Sequence, residues 1–535
     1  MRRPSRLNGT AVSKPRGDGA YLGEGRPALT LLVSVVRLVR REPRRIASIA
    51  LTWMAGKRLR ARQQLAAWIG IDHRLVRSAV NRPRPAETTH ADGAFTVIGA
   101  ERLVQGAAER IARAFADDPS LQAIYGDGLV EVSPNGPLYP RLPPVFDPDL
   151  LCAVDYLGAL AVRRDALLVQ PRDSTEAAFR IAETHGPASI GHLPGVLSFR
   201  PGEGGADAES AIASRLAAVR GHLDRAGMAD AMALPDADGL IRVTHPLAET
   251  PLVSVIVPTR DRLDLLRPCL DALRTRTAWP SLEIIICDND SERPDTRTFL
   301  ADLAREGRGL VVPYPGPFNF AGMNNEAARR ARGRLLVFMN NDVEAFRADW
   351  LVAMARHALR PAVGAVGAKL LDDTGRIQHG GIVFGTGGLV THGHRHFPGD
   401  APGYLSTLRA AHRVSAVTAA CLMVEAGKFW AVGGFDEGEF AVDFNDVDLC
   451  LRLNAVGYRT MLVPEAVLHH REAASRRWTE SARARHDREV LALRRRWGPL
   501  LVQDPHYNPG FDPALSTHAR LAPGSPRAGA IRRPH

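Results

Sequence analysis

The sequence predicts an α/β protein whose main domain is a Rossmann-like, mostly parallel sheet covered by helices on both faces. Apolar, strand-like runs alternate with helical patterns from residue 252 onward, and three of the first four runs end in clusters of polar residues. Strands that alternate with helices build parallel sheets with both faces covered. Because ligands of such sheets bind outside the carboxyl ends of the strands, the polar clusters predict one site at that edge.

The length of 535 residues predicts two or three folded units with tails. A hydrophobic content of 45% with 24% charged residues is typical of a folded, soluble protein. The order of patterns along the chain predicts a basic, partly helical arm (1–90), a small α/β domain (91–205), a helical linker (206–250), the main domain (251–476) and a C-terminal helix and tail (477–535).

The positive charge is concentrated in the arm. The whole chain has a net charge of +11, and residues 1–62 contain 15 basic and three acidic side chains, a net charge of +12. A basic arm on a nearly neutral body favours an anionic membrane surface or an anionic lipid-linked substrate over nucleic acid, which we do not expect as a partner.

The two apolar runs of the arm, 28–39 and 46–55, are shorter than the ~20 residues that span a bilayer. Arginines lie within and next to these runs. The runs therefore predict either an interfacial helix or a helix that packs on the protein with its basic face in solvent. The five cysteines form no CxxC pair, and no secretory signal precedes residue 26. We therefore expect a cytoplasmic protein, with the inner face of the plasma membrane as a candidate site of peripheral attachment.

The main domain begins with a clear succession of elements. The patterns predict strands at 252–257, 282–287, 310–312 and 335–339 and helices at 263–275 and 324–332. Upstream, residues 95–115 are typical of a strand followed by an amphipathic helix, and polar segments at 83–92 and 201–207 predict linkers.

Asp288 follows the second strand of the main domain. An ionised carboxylate offers only acceptors, and a base or ribose offers donors, so Asp288 is a candidate nucleoside ligand. The alternative is an Asx turn formed by Asp288, Asn289 and Asp290.

The fourth strand ends in Asn340, Asn341 and Asp342. A hard divalent cation that bridges two phosphates needs oxygen ligands from a tight turn at a sheet edge. Asp342 is therefore the predicted metal ligand.

Asp446 and Asp448 lie at the start of a predicted buried helix. The first turn of a helix lets a carboxylate protrude into a cleft, which favours Asp446 as a general base. Asp448 and Arg452 have the spacing of an ion pair, so a structural role is favoured for Asp448. Further along, His469 is a candidate metal ligand after a strand-like run, with a structural histidine as the alternative.

Together these segments resemble family 2 glycosyltransferases of the GT-A fold. The likeness rests on five motifs in register, which are VSVIVPTR (253–260), ICDN (286–289), NND (340–342), GGFD (433–436) and NDVDLCLR (445–452). A narrower likeness to bacterial rhamnosyltransferase-type enzymes of O-antigen and other surface polysaccharides rests on FNF (318–320), NN (324–325), QHGG (378–381) and DPHYNP (504–509).

The resemblance implies roles for individual residues. Pro258, Thr259 and Asp288 would hold the nucleoside, and Asn325 and Asn341 would face the donor. In the same way, the resemblance makes Asp342 a ligand of Mg²⁺ or Mn²⁺, Asp446 the base, and His469 a ligand of the metal or the diphosphate. Two positions depart from the family pattern, since Asn340 replaces the first aspartate of Asp-x-Asp and Asn445 replaces the glutamate of Glu-Asp.

The implied activity is metal-dependent, inverting transfer of a sugar from a nucleotide-diphosphate donor to a saccharide or lipid-linked glycan acceptor. Residues 125–200 resemble part of a degenerate, non-catalytic domain of the same kind. A dehydrogenase is disfavoured because the first strand ends in Pro258 and Thr259 rather than in a GxGxxG turn. A non-catalytic sugar- or nucleotide-binding scaffold that retains the fold is the other alternative, because a fold alone does not establish activity.

Overall fold

The structure is a computed structural model. It describes residues 43–54, 61, 64–65, 95–131, 138–167, 169–202, 208–471, 479–516, 518, 520–522 and 531–534. The predicted linker at 83–92 and the apolar run at 28–39 lie outside these residues. The chain has two compact units, residues 1–61 and 62–535.

In the first unit, helix α1 (Pro43–Met54) covers most of the second apolar run of the arm. Leu51, Trp53 and Met54 are exposed on it. Within the described ranges, no helix is long and apolar enough to cross a membrane.

The second unit contains two larger sheets. The smaller of these has six strands in the order β1-β5-β3-β6-β2, with β4 paired to β3. Its strands are β1 (Phe95–Ile98), β2 (Arg102–Leu103), β3 (Ala123–Glu131), β4 (Leu138–Arg141), β5 (Leu160–Arg163) and β6 (Ile190–Arg200). The helices in this region are α2 (Ala107–Asp117), α3 (Pro148–Ala153), α4 (Ser174–His185) and α5 (Ala208–Arg225). A hairpin of β7 (Met232–Pro235) and β8 (Ile241–Thr244) leads to the main domain.

The larger sheet has ten strands in the order β11-β10-β9-β12-β19-β14-β20-β13, with β15 paired to β14 and β18 to β20. Its strands are β9 (Val253–Thr259), β10 (Leu282–Asp288), β11 (Leu310–Pro313), β12 (Leu335–Met339), β13 (Val343–Ala345), β14 (Val363–Leu371), β15 (Ile377–His379), β18 (His412–Arg413), β19 (Cys421–Glu425) and β20 (Arg459–His470). A separate hairpin consists of β16 (Ile382–Phe384) and β17 (Val390–His392).

Helices cover both faces of the large sheet. They are α6 (Leu263–Thr275), α7 (Pro294–Arg305), α8 (Phe320–Arg330), α9 (Trp350–Ala358), α10 (Ala426–Ala431), α11 (Asn445–Ala455) and α12 (Glu480–Trp497). Alternate residues of β9 point to opposite faces. Val255 joins a core with α6, α7 and α9, and Ile256 joins a second core with α8, α11 and α12.

The α/β class, the four predicted strands and the helices on both faces are confirmed. The sheet is mixed, however, because β19 lies antiparallel between β12 and β14. β14 and β20 are parallel to each other, so β20 runs in the same direction as β9, β10 and β12. The carboxyl end of β20 therefore lies at the predicted site edge.

Helix α8 begins at Phe320, four residues before its predicted start. Its N-cap is Asn319, whose side chain accepts a hydrogen bond from the Gly322 amide at 2.8 Å. Asparagine is among the preferred N-cap residues because its oxygen binds an amide left free in the first turn. The motif at 318–320 is thus the start of this helix.

The C-terminal DPHYNP segment connects the small sheet with the β16–β17 hairpin of the main domain. Asp504 accepts a hydrogen bond from the Phe384 amide at 2.8 Å, on the side of the main domain. Asn508 donates to Asp127 Oδ1 on β3 at 2.7 Å and to the Pro143 carbonyl at 2.8 Å. This segment therefore braces the position of the small sheet against the main domain.

Candidate active site

The carboxyl ends of β9, β10 and β12 meet as predicted. Thr259 and Asp288 are register partners at the ends of β9 and β10. Asn341, which follows β12, donates its side-chain amide to Thr259 Oγ1 at 2.9 Å. Thr259 and the preceding Pro258 are buried. Three separated segments thus form one polar edge.

Asp288 is partly exposed and bound locally. Its carboxylate accepts hydrogen bonds from the hydroxyl and, at 3.3 Å, from the amide of Ser291. Ser291 Oγ in turn accepts a hydrogen bond from the Asp261 amide at 2.8 Å. Asp288 therefore binds Ser291, three residues on, rather than the amide of Asp290 that an Asx turn would use, and these bonds fix the carboxylate beside Thr259.

The loop after β9 holds two residues in the left-handed region. Asp261 has φ 52° and Arg262 has φ 49°. Such conformations cost free energy in residues other than glycine, and they cluster at functional sites. Asp261 Oδ1 stabilises the loop by accepting hydrogen bonds from the amides of Glu292 and Arg293 at 3.0 and 2.9 Å. Sequence reasoning did not single out this pair, whose backbone has no sequence signature.

Asp342 is buried beside a histidine. His470 Nε2 lies 3.3 Å from Asp342 Oδ1. The contact exists because β13 and β20 pair antiparallel with Val343 opposite His470. Asp342 Oδ1 is a buried atom that makes no hydrogen bond in spite of this contact, so it retains unused capacity for a ligand.

The predicted histidine, His469, is not the one beside Asp342. Consecutive residues of a strand point to opposite faces. His469 lies opposite Glu344 in the register and packs edge-on against Phe346, with ring centroids 5.1 Å apart. The structure therefore places His470, and not the predicted His469, beside Asp342, and metal binding by either histidine stays a prediction.

Asn340 occupies the first position of the polar turn. Its Nδ2 lies 3.5 Å from His470 Nε2, and its backbone amide donates to the Ala420 carbonyl at 3.1 Å. The amide side chain thus stands where the family pattern has a carboxylate, and it contacts the histidine of the site.

Asp446 lies in the first turn of α11. Its Oδ2 accepts a hydrogen bond from the Ala419 amide at 3.0 Å, and its Oδ1 accepts one from the Val447 amide at 2.8 Å. Burial raises the pKa of Asp446 above its ordinary value, and these hydrogen bonds partly oppose the rise. The site therefore holds a partly buried carboxyl in a fixed orientation.

Asp448 has a structural environment, as expected. It is fully buried and accepts hydrogen bonds from Arg452 Nε at 2.7 Å, Arg496 Nη1 at 2.9 Å and Trp497 Nε1 at 2.9 Å. These contacts attach α12 to α11. The two donors from α12 have no signal in the local sequence.

Asn325 holds a loop of the protein. Its Nδ2 donates to the Phe435 carbonyl at 2.8 Å, and its Oδ1 accepts from the Phe435 amide at 2.9 Å. The neighbouring Gly434 has φ 72°, and a Cβ there would lie 2.8 Å from Asn325 Oδ1. The side-chain amide of Asn325 is thus occupied by the GGFD loop, and its expected role toward the donor stays a prediction.

His379, from the QHGG motif, is fully buried next to His392. The two Nδ1 atoms are 2.8 Å apart, and the Thr418 amide lies 3.5 Å from His379 Nε2. Burial lowers the pKa of His392 to about 3 and that of His379 well below its ordinary value. His379 therefore contacts both His392 and the segment that precedes the Asp446-binding amide of Ala419. Sequence reasoning missed His392.

A divalent cation needs several oxygen or nitrogen ligands around it. Among the described residues, no group of three or more His, Cys, Asp or Glu side chains could hold a metal. Asp342 and His470 nevertheless fit a site completed by substrate, because Mg²⁺ commonly binds one or two carboxylates together with phosphate oxygens. The buried Asp342 oxygen without a partner supports this fit.

Residues 254–380 match the model of the family "Glycosyl transferase family 2". This range contains Thr259, Asp288 and Asp342, and it ends before Asp446 and His470.

Two curated relatives match most of the chain. One is "Uncharacterized protein y4gI" of Sinorhizobium fredii, which is 38% identical over 413 residues, 74% of this chain and 45% of the relative. The other is "O-antigen biosynthesis protein RfbC" of Myxococcus xanthus, which is 36% identical over 433 residues, 77% of this chain and 33% of the relative. The chain thus spans less than half the length of these relatives.

Among solved structures, a match is the mannosyltransferase PcManGT from Pyrobaculum calidifontis, in complex with GDP-Man and Mn²⁺. It is 20% identical with a TM-score of 0.34, and the match covers 48% of this chain and 69% of that one.

Proposed function

Because the chain contains a glycosyltransferase family 2 domain with a GT-A-like α/β fold, we propose that it is an inverting glycosyltransferase with a nucleotide-diphosphate sugar as its donor. One observation carries this proposal. The segment 419–420 binds Asp446 through the Ala419 amide and Asn340 through the Ala420 carbonyl. The candidate base and the Asp342–His470 pair therefore belong to the same edge of the sheet.

Asp446 is the proposed general base. Its carboxylate accepts the proton of an acceptor hydroxyl while the hydroxyl oxygen bonds to the anomeric carbon of the donor. The bond from that carbon to the diphosphate breaks, and its electron pair leaves with the nucleoside diphosphate. Attack and departure occur on opposite sides, so the configuration inverts. A positioned base contributes about 10²–10⁴ in rate, most effectively when its pKa is close to the working pH, which the raised pKa of Asp446 favours.

Asp342 and His470 are the proposed holders of Mg²⁺ or Mn²⁺, which when bound would neutralise charge on the departing diphosphate. His470 offers a nitrogen ligand and Asp342 an oxygen ligand. Metal dependence is part of the proposal.

Thr259, Asp288 and Asn341 are the proposed contacts of the donor nucleotide. The hydrogen bond between Asn341 and Thr259 joins two strand ends, and Asp288 lies beside them with one carboxylate edge turned to Ser291. Pro258 contributes backbone shape at the end of β9. The proposed role of these residues is to position the donor before transfer.

The 36% identity with an O-antigen biosynthesis protein supports a saccharide or lipid-linked glycan acceptor and a role in surface polysaccharide synthesis. Transfer of rhamnose or a related hexose is the corresponding proposal. We further propose that the protein acts in the cytoplasm with its basic arm on an anionic membrane, and that the small domain (91–205) is non-catalytic.

The alternative is a binding scaffold that keeps the fold. The two asparagines Asn340 and Asn445 favour it, because each replaces a carboxylate of the family pattern. Asn445 donates to the Val442 carbonyl at 2.9 Å and so supports the turn before Asp446. A scaffold would bind a nucleoside diphosphate without turnover.

A donor screen tests the proposal. UDP-, GDP- and dTDP-sugars are incubated with the protein and candidate acceptors in Mn²⁺, in Mg²⁺ or in EDTA, and the released nucleoside diphosphate is measured. We expect release from one donor that requires metal, and a product with inverted anomeric configuration by NMR. Release that persists fully in EDTA would contradict the metal proposal, and retained configuration would contradict the base mechanism.

A further inference from the structure

A cavity of about 540 Å³ lies at the edge of the large sheet opposite the candidate active site. Its walls come from α9, from the end of α5, from β8 and from the start of β20. Val463 lines the cavity, seven residues before His470 on the same strand. At ~3.3 Å per residue, about 20 Å separate the cavity from the proposed metal pair, so it is a second and distinct space.

Positive charge predominates in the lining of this cavity. Six arginines line it, against the carboxylates of four acidic residues. Most of these arginines are engaged by carboxylates: Arg360 binds Asp149 at 2.7 Å, and Arg225 binds Glu183 at 2.6 Å. Most of the positive charge in the lining is therefore compensated by ion pairs, and few arginines are left without one.

Arg356 is the arginine that stands apart. Among the described residues it makes no ion pair, and its buried Nε lacks a hydrogen-bond partner. It projects from α9, an element of the main domain core. A buried guanidinium nitrogen without a partner costs free energy unless a ligand binds it. Arg356 thus marks the place where an anion would be stabilised.

Two histidines, His245 and His357, line the same cavity as Arg356. The rings of His245 and His357 meet edge to face, with centroids 5.6 Å apart. Burial lowers the pKa of His245 to about 4 and that of His357 to about 3, and the charges of Arg360 and Arg356 lower both further. At neutral pH these rings are uncharged and can exchange hydrogen bonds with the polar body of a ligand.

We propose that this cavity binds a small polar molecule through an oxyanion, a phosphate or carboxylate group held by Arg356. The planar guanidinium matches such groups with paired hydrogen bonds. Cavities of ~300–1,000 Å³ hold small molecules, so the volume suits a sugar phosphate or a sugar carboxylate. The proposal does not depend on sugar transfer, because the cavity shares no residue with the candidate active site.

The test is isothermal titration calorimetry on the full chain with inorganic phosphate, glucose 1-phosphate and glucuronate. The variants are Arg356→Gln and, as a matched control, Arg305→Gln, whose exposed side chain pairs with Asp302 on α7. We expect the wild type and the control to bind alike, and Arg356→Gln to bind at least about tenfold more weakly. Arg356→Lys keeps the positive charge but loses the paired N–H donors of the guanidinium. Its affinity should therefore lie between those of the wild type and Arg356→Gln. Binding of the phosphates alone identifies a phosphate ligand, and binding of glucuronate alone identifies a carboxylate ligand.

Two further measurements separate this site from the active edge. Asn341→Ala, which removes a proposed contact of the donor nucleotide, should retain the binding, and saturation with the ligand should raise the pKa of His245 and His357 in an NMR titration. Thermal unfolding verifies that Arg356→Gln is folded. The proposal is overturned if no anion binds the wild type, if folded Arg356→Gln binds normally, or if Asn341→Ala rather than Arg356→Gln loses the binding.

Discussion

His470 Nε2 lies 3.3 Å from Asp342 Oδ1, across the antiparallel pairing of β20 with β13. Both side chains are buried, and Asp342 Oδ1 and His470 Nδ1 have no hydrogen-bond partner. The two adjacent histidines lie on opposite faces of β20. His470 faces Asp342, and His469 does not.

The first prediction contrasts these histidines. His470→Ala should weaken Mn²⁺ binding in the presence of a nucleoside diphosphate by at least tenfold, roughly 1.4 kcal/mol, because a ligand is lost. His469→Ala, on the opposite face, should bind Mn²⁺ within about twofold of the wild type. Calorimetry or electron paramagnetic resonance measures both affinities. Equal losses in the two variants would contradict the assignment of His470.

A second prediction concerns the pH dependence of activity. Because burial raises the pKa of Asp446 above 3.8, the acidic limb of kcat/KM should lie above that value, with activity falling as pH drops and the base is protonated. A pH profile of nucleoside diphosphate release measures the limb. A limb at or below the ordinary aspartate value would argue against Asp446 as the base.

The same raised pKa gives a third prediction, on stability. A carboxyl whose folded pKa is raised stabilises the fold at low pH, and that contribution is lost as pH rises through the folded pKa. The stability of Asp446→Asn relative to wild type should therefore increase as pH rises from about 4 to 7. Urea unfolding at several pH values measures this, with the exposed Asp373→Asn as a control that should show no such trend. A difference that stays constant with pH would contradict the raised pKa.

Asp448 supplies a fourth prediction. Asp448→Asn should lower the free energy of unfolding by about 3–5 kcal/mol, because it breaks a buried set of contacts to Arg452, Arg496 and Trp497. Glu326→Gln, which disturbs only surface ion pairs on α8, should cost less than about 1 kcal/mol. Denaturant unfolding compares them, and similar small losses would refute the structural role of Asp448.

Much of the sheet could be predicted from the sequence. The apolar runs that become β9, β10 and β12 are mostly buried strands, and their polar ends converge at Thr259, Asp288 and Asn341. The run that becomes β11 is an edge strand with one buried residue. A continuous apolar run with a polar end carries this information locally. Helix α6 was predicted with its observed limits, because its helical pattern is also contained in the local sequence.

Features set by distant contacts could not be predicted. The direction of β19 depends on the path of the long segment before it, which has no periodic pattern. The register in which β20 pairs with β13 determines which of His469 and His470 lies beside Asp342. This register depends on a contact between distant segments. The contact of Asn325 with Phe435 joins residues 110 positions apart, so no local pattern could indicate it, and Asn325 was assigned to the donor from the family resemblance alone.

The central claim is that Asp446 is the base of a sugar transfer. The most direct test measures both the turnover rate and the nucleotide affinity of Asp446→Asn. With the donor found in the screen, we predict that Asp446→Asn binds the nucleoside diphosphate with wild-type affinity but releases it at least about 100-fold more slowly, while Asp373→Asn matches the wild type in both. Wild-type turnover in Asp446→Asn would contradict the account, and binding without turnover in the wild type itself would identify a scaffold.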